Sequence, residues 1–153
     1  MTEPSERPLG CTCFCLRKLT RTVSRLYDQH LAGAGLKTTQ YSLLKTIAHE
    51  AVPVAELAAR LSTERTTLTR NLKPLVDAGW VTLKPGTDSR QRIATITPQG
   101  QDTIKAANAA WRRAQTELEE TLGMQSVRIL HRMADAALIQ LTPLLEHSHA
   151  ESV

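Results

Sequence analysis

Aromatic side chains are scarce in this 153-residue chain: two Trp, two Tyr and one Phe amount to 3% of it. Leucine, alanine and valine must therefore fill the interior. Long apolar runs are missing too. No stretch approaches the roughly 20 residues that a membrane-spanning helix needs, and an N-terminus of acids and prolines does not read as a secretory signal. Cysteine occurs only at Cys11, Cys13 and Cys15, an odd cluster that builds no disulfide framework and fits a reducing cytoplasm. No Ser-His-Asp grouping, P-loop, glycine-rich nucleotide loop or zinc-finger spacing occurs, so neither an enzyme nor a cofactor is expected. Internal repeats and low-complexity tracts are absent as well.

What remains is an ordinary globular composition, with 41% hydrophobic and 22% charged residues. The length suits a single domain with a sizeable core. A net charge of +4 permits a polyanionic partner without demanding one. Between Val54 and Gly100, seven Lys/Arg face four acids, which puts three of the four surplus charges in that segment.

Residues 1–8 are polar and proline-punctuated, a tail expected to fray. From about Gly10 to Ala32, Leu16, Leu19, Val23, Leu26 and Leu31 recur at helical steps, with Arg17, Arg21 and Arg25 on another face. Gly33-Ala34-Gly35 breaks that helix. Thr38 or Thr39 can cap the next, which runs to about His49 through Leu43, Leu44 and Ile47. A helix from Val54 to Leu61 follows, then a polar break at Ser62-Thr63 and a second, basic-polar helix. Two short β-branched runs then flank Gly86-Thr87-Asp88-Ser89-Arg90-Gln91-Arg92. Thr97 and Pro98 open a long helix to about Leu122, with Ile104, Ala107, Trp111, Ala114, Leu118 and Leu122 near a heptad. Gly123 interrupts it. A last helix runs from about Gln125 to Glu146, with Val127, Leu130, Ala134, Ala137 or Leu138, Leu141 and Leu145 along its stripe. Pro143 should kink or fray its end. His147 and His149 in the tail read as solvated polar residues, and no metal site is expected.

Helix, turn, basic-polar helix, strand, basic loop, strand is the order of a winged helix-turn-helix. The fold expected is mainly α with a small β-hairpin wing, and the partner expected is duplex DNA. A helix entering the major groove presents short polar and cationic side chains to base edges and phosphates. Ser62 or Thr63 can cap it, leaving amides toward a phosphate. Arg65, Thr66, Thr69, Arg70 and Lys73 line one broad face, joined by Thr67, while Leu68, Leu72, Leu75 and Val76 face inward. Arg65 and Arg70 are the foremost candidates for base or phosphate contacts. In the wing, Arg90 and Arg92 suit a minor groove, and Asp88 could orient the Arg90 guanidinium. The flanking helices carry more apolar seam than this core can cover, so a two-fold dimer is expected, with a self-packed monomeric bundle as the alternative.

Leu57-Ala58 before the turn, Gly79-Trp80-Val81, Asp88-x-Arg90 and Thr97-x-x-Gly100 resemble the MarR family of bacterial transcription regulators, and the spacing fits from Gln40 to Gly100. The resemblance implies one domain over 1–153, with dimerisation helices at 9–33 and 98–147 around a DNA-binding core at 38–97. It further implies a homodimer on a pseudo-palindromic operator, usually a repressor released by a small ligand or by oxidation. The wing pair carries over to Asp88 and Arg90, and the reading-helix contacts to Arg65, Thr66, Thr67, Thr69 and Arg70.

Cys11 and Cys15 share a helix face while Cys13 points elsewhere, with Arg17 one turn beyond Cys13. Those are surroundings in which thiols meet peroxides or soft metals. Cys13-Phe14, Tyr27 and Gln40-Tyr41 are similar to the organic-hydroperoxide-sensing branch of the family, although Arg17 and Thr38 stand where that branch has tyrosines. The resemblance also implies an effector pocket between the dimerisation helices and the core, where Arg17 could instead hold the carboxylate of an aromatic acid. Incidental cysteines, thiol redox sensing and soft-metal or metalloid binding all stay open. The alternative function is a thiol or soft-metal binding protein whose winged helix serves protein contacts.

Overall fold

The computed structural model describes residues 10–150 apart from Ser89, and no side chain from 145 onward. The tail at 1–8, which the sequence expects to fray, lies outside the described residues, as do the side chains of His147 and His149. The elements in chain order are α1 (Thr12–Leu31), a 3-10 turn (Ala32–Ala34), α2 (Thr38–Thr46), β1 (Val52–Pro53), α3 (Val54–Arg60) and α4 (Arg65–Asp77). They continue as β2 (Val81–Pro85), β3 (Arg92–Ile96), α5 (Pro98–Leu122) and α6 (Met124–Ala150). By internal contacts the chain groups into Met1–Ala114 and Gln115–Val153.

The first unit is a winged helix. Leu31, Leu44, Ile47, Leu57, Leu68, Leu72 and Leu75 are its fully buried large side chains, joined by Val52 and Val81 from the sheet. Leucine does here what aromatics do in richer sequences. Leu68, Leu72 and Leu75 recur at three- and four-residue steps, so one side of α4 is buried while the opposite side stays polar. The sheet has three antiparallel strands in the order β1-β3-β2, one more than the expected hairpin. Val52 pairs with Ala94 and Pro53 with Ile93, about 40 residues away. A two-residue strand ending in proline gives no alternating pattern to read.

Three helix ends differ from the sequence expectation. The N-cap of α2 is Lys37 rather than Thr38 or Thr39. Its free amides are taken by Gln40 Oε1, which accepts the Lys37 amide at 2.9 Å, and by Asp28 Oδ1 of α1, which accepts the Thr38 amide at 2.6 Å. The N-cap of α4 is Glu64, so neither Ser62 nor Thr63 caps it. Ser62 instead ends α3 with a left-handed φ of 47°. Its amide bonds to the Ala59 carbonyl and that of Thr63 to the Ala58 carbonyl, the two bonds of a Schellman turn. Finally, α6 continues through Pro143 to Ala150.

In the second unit Gly123, with φ of 82°, separates α5 from α6. Val127 is buried, but Ile129, Met133, Leu138, Ile139, Leu141 and Leu144 of α6 are exposed. At the other end of the chain, Phe14, Leu16 and Leu19 of α1 are exposed too. Of the apolar stripes read from the sequence, Leu16 and Leu19 of α1 and Leu138 and Leu141 of α6 are thus exposed, whereas Val127 is not.

Candidate nucleic-acid interface

The outer face of α4 is built by the burial of its inner one. With Leu68, Leu72 and Leu75 against the core, Arg65, Thr66, Thr69, Arg70 and Lys73 are exposed, and Thr67 is half-buried toward one side. Ser62 is exposed and Thr63 half-buried, both in the turn before the helix. Two of the exposed groups are committed within the helix. Thr69 Oγ1 donates to the Arg65 carbonyl at 2.9 Å, and Lys73 Nζ reaches Asp77 Oδ2 at 2.6 Å. Pro74 lacks an amide hydrogen, so the Arg70 carbonyl loses its helical donor.

The wing leaves the sheet at Pro85, paired with Arg92. The Gly86 amide donates to the Gln91 carbonyl and the Gln91 amide to the Asp88 carbonyl, closing the loop. Asp88, Arg90 and Arg92 are exposed. Asp88 Oδ1 accepts the backbone amide of Arg90 at 2.9 Å. Asp88 thus shapes the loop as an Asx turn, whereas the expected bond to the Arg90 guanidinium is not present among the described residues.

The wing is seated on α4 and α5 by one hydroxyl. Thr97 Oγ1 donates to the Gly79 carbonyl at 2.7 Å and accepts the Gly100 amide at 3.0 Å, as an N-cap of α5 should. That observation accounts for the Thr97-x-x-Gly100 spacing.

The residues named for an effector do not converge. Cys11 is the N-cap of α1 and all three cysteines are exposed. Arg17 is exposed as well, whereas Tyr27 is buried at 9% exposure. Fourteen residues of helix separate Cys13 from Tyr27, about 21 Å along the axis, so they cannot meet within one chain. Tyr27 packs instead on Trp111, ring centroids 6.5 Å apart.

An open pocket of about 500 Å³ does lie between α2 and α5, but in place of Arg17 its lining is Tyr41, Ser42, Lys45, Asn108, Trp111 and Arg112, residues that sequence reasoning did not assign to it. Tyr41 stacks on Trp111 at 6.2 Å and 17°, and its hydroxyl donates to Asn108 Oδ1 at 2.8 Å. Burial pushes the Tyr41 phenol above its ordinary range, partly offset by the nearby Arg112 charge. The signal was available: Tyr41 and Lys45 on one helix, and Asn108 and Arg112 on another, are each four residues apart and share a face.

Comparison with known proteins agrees with this architecture. Residues 34–91 match the model of the MarR family. The chain is 34% identical to the M. tuberculosis transcriptional regulator MosR, solved in complex with DNA, with a TM-score of 0.73 over 83% of this chain and 96% of that one. An E. coli MarR variant complexed with operator DNA is 23% identical, with a TM-score of 0.74 over 82% and 92%, and bears on the fold alone. An uncharacterized HTH-type transcriptional regulator of Bacillus subtilis, YwoH, is 26% identical over 106 residues, 67% of this chain and 76% of its own. These matches are regulators of transcription, not enzymes, and no described helix is long and apolar enough to cross a membrane. With a winged helix, a Thr97-capped junction and a relative of this identity over nearly its whole length, the chain belongs to the MarR family of transcriptional regulators.

Proposed function

We propose that the protein is a homodimeric repressor that binds a pseudo-palindromic operator and is released by a small ligand or by thiol oxidation. One observation carries the DNA half of this reading: the polar face of α4 and the arginines of the wing are exposed together, on a core that buries only the opposite side of α4. Placed in a major groove, α4 would bring Arg70 and Thr66 to base edges, and the wing would reach the adjacent minor groove. The relative MosR, whose structure was solved with DNA, supports carrying that arrangement over.

The dimer is supported by the uncovered apolar side chains of α1 and α6, since a soluble chain rarely leaves so many large ones in water. A second copy is the simplest cover, and two-fold symmetry would match a two-fold operator.

For the effector, the α2–α5 pocket offers more than Arg17 does. A stacked Tyr41–Trp111 wall, two cations in Lys45 and Arg112 and a polar Asn108 suit an aromatic carboxylate. The exposed cysteines at the start of α1 leave oxidation as a second route to release.

The deciding experiment titrates salt against binding to duplex DNA from the protein's own promoter region, alongside a light-scattering mass. A steep fall in affinity with salt and a mass near twice 16.9 kDa are expected. A flat response would favour the rival reading, in which thiols or soft metals are the ligands and the winged helix contacts protein.

A further inference from the structure

Arg65 and Arg70 look interchangeable in the sequence, two arginines on the polar side of one helix. The fold separates them. Five residues turn an α-helix by about 140° beyond a full circle, so the two side chains leave α4 in different directions. Arg70 lines a groove with Thr66, Thr69 and Leu83. Arg65, the first residue of α4, lines a hollow of about 430 Å³ whose other charged walls are Arg90, Arg92 and Asp88 of the wing.

Three guanidinium groups against one carboxylate leave that hollow with two net positive charges. Asp88 already accepts the Arg90 amide. Among the described residues no carboxylate forms an ion pair with Arg65, Arg90 or Arg92, whereas Arg60 is held by Glu50 and Glu56, and Lys73 by Asp77. Unpaired guanidinium groups turned toward one concavity are suited to a tetrahedral oxyanion, because each offers two parallel donors. The position adds a second argument. A helix in the major groove and a wing in the adjacent minor groove have one phosphodiester strand between them, and this hollow lies where helix and wing meet.

We infer that the hollow seats a backbone phosphate of the operator at the root of the wing, so that Arg65 grips the strand beside the wing arginines that enter the minor groove, while Arg70 alone of the two reads base edges. This rests on the DNA-binding reading of α4 and the wing. It divides their work: Arg65 sets affinity and register, and Arg70 sets sequence preference.

The test uses the full-length protein and duplexes that it enriches from a random-sequence pool. Arg65→Ala should bind every enriched duplex about tenfold more weakly, select the same consensus and lower the salt slope by roughly one per subunit. Arg70→Ala should change the consensus. Replacing single phosphates by neutral methylphosphonates should then reveal one linkage per half-site whose neutralisation weakens the wild type about tenfold but adds nothing to Arg65→Ala. Arg65 is exposed, so the variant should melt as the wild type does, and Arg65→Lys should retain part of the affinity. The inference is overturned if Arg65→Ala shifts the consensus as Arg70→Ala does, or if it stays as sensitive as the wild type to every methylphosphonate. If the wild type enriches no sequence, the DNA-binding reading itself falls and this assignment with it.

Discussion

The carbonyl of Trp80 stands where a Cβ on Gly100 would have to go. That carbonyl also accepts the Thr97 amide at 2.9 Å, beside the two bonds made by the Thr97 hydroxyl. The end of α4, the start of β2 and the first turn of α5 are thereby closed onto one another. Gly100→Ala must push the Trp80 carbonyl off its donor or move α5. We expect a loss of about 2–3 kcal/mol from overpacking and a broken, part-buried hydrogen bond, seen as a lowered urea midpoint. An unchanged midpoint would show that α5 shifts freely and that the junction does not fix the wing.

Ser62 makes the opposite prediction. Its φ of 47° belongs to the left-handed region, where a side chain costs about 1–2 kcal/mol, and the Schellman turn it completes favours glycine. Ser62→Gly should stabilise the protein, by about 0.5–1 kcal/mol after the added freedom of the unfolded chain is counted. Ser62→Ala keeps the Cβ and should gain nothing. Thermal melts of the two variants side by side decide it, and equal melting temperatures would mean the strain is negligible.

What could be read from the sequence followed its period. The inner face of α4 was legible because Leu68, Leu72 and Leu75 repeat at helical steps, and Thr97 because a cap acts within three residues. What could not be read depended on partners far along the chain. Asp28 caps α2 from ten residues away, and β1 exists only because Ala94 and Ile93 pair with it. Ser62 and Thr63 have the composition of a helix cap, yet the demand of α3 for a left-handed terminus took them first. Resemblance groups Tyr27 with the cysteines, whereas in the fold its ring packs on Trp111. The candidate interface was therefore more legible than the pocket, since a helix face is local and a pocket joins two helices.

Tyr41 gives a pH dependence with a definite sign. Burial raises its phenol in the folded state, with Arg112 partly opposing, so folding favours the protonated form that donates to Asn108. This contribution to stability is complete below the unfolded value near 10 and is lost as pH rises through the higher folded value. Melting temperature should thus fall more steeply above about pH 10 in the wild type than in Tyr41→Phe. At pH 8 the phenylalanine variant should be the less stable, by about 1 kcal/mol for one lost hydrogen bond. Parallel alkaline slopes in the two proteins would contradict this.

The α2–α5 pocket can be probed with benzoate, which carries the ring for the Tyr41–Trp111 wall and the carboxylate for Lys45 and Arg112. A ligand that binds only the folded protein stabilises it by RT ln(1 + [L]/Kd), about 2.7 kcal/mol at a hundredfold excess over Kd. Benzoate should therefore raise the melting temperature, and benzamide, with the same ring and no charge, should do so far less. Arg112→Met should weaken benzoate about tenfold, the equivalent of one charge-assisted bond, while leaving benzamide unchanged. If both probes respond equally to the substitution, the cation is not the recognition element. Binding alone would still not make benzoate an effector, because a ligand with equal affinity for the free and DNA-bound conformations shifts nothing. The measurement that assigns a regulatory role is operator affinity with and without benzoate. A fall in the wild type that disappears in Arg112→Met would link the pocket to release, whereas stabilisation with no change in operator affinity would leave it a binding site without a switch.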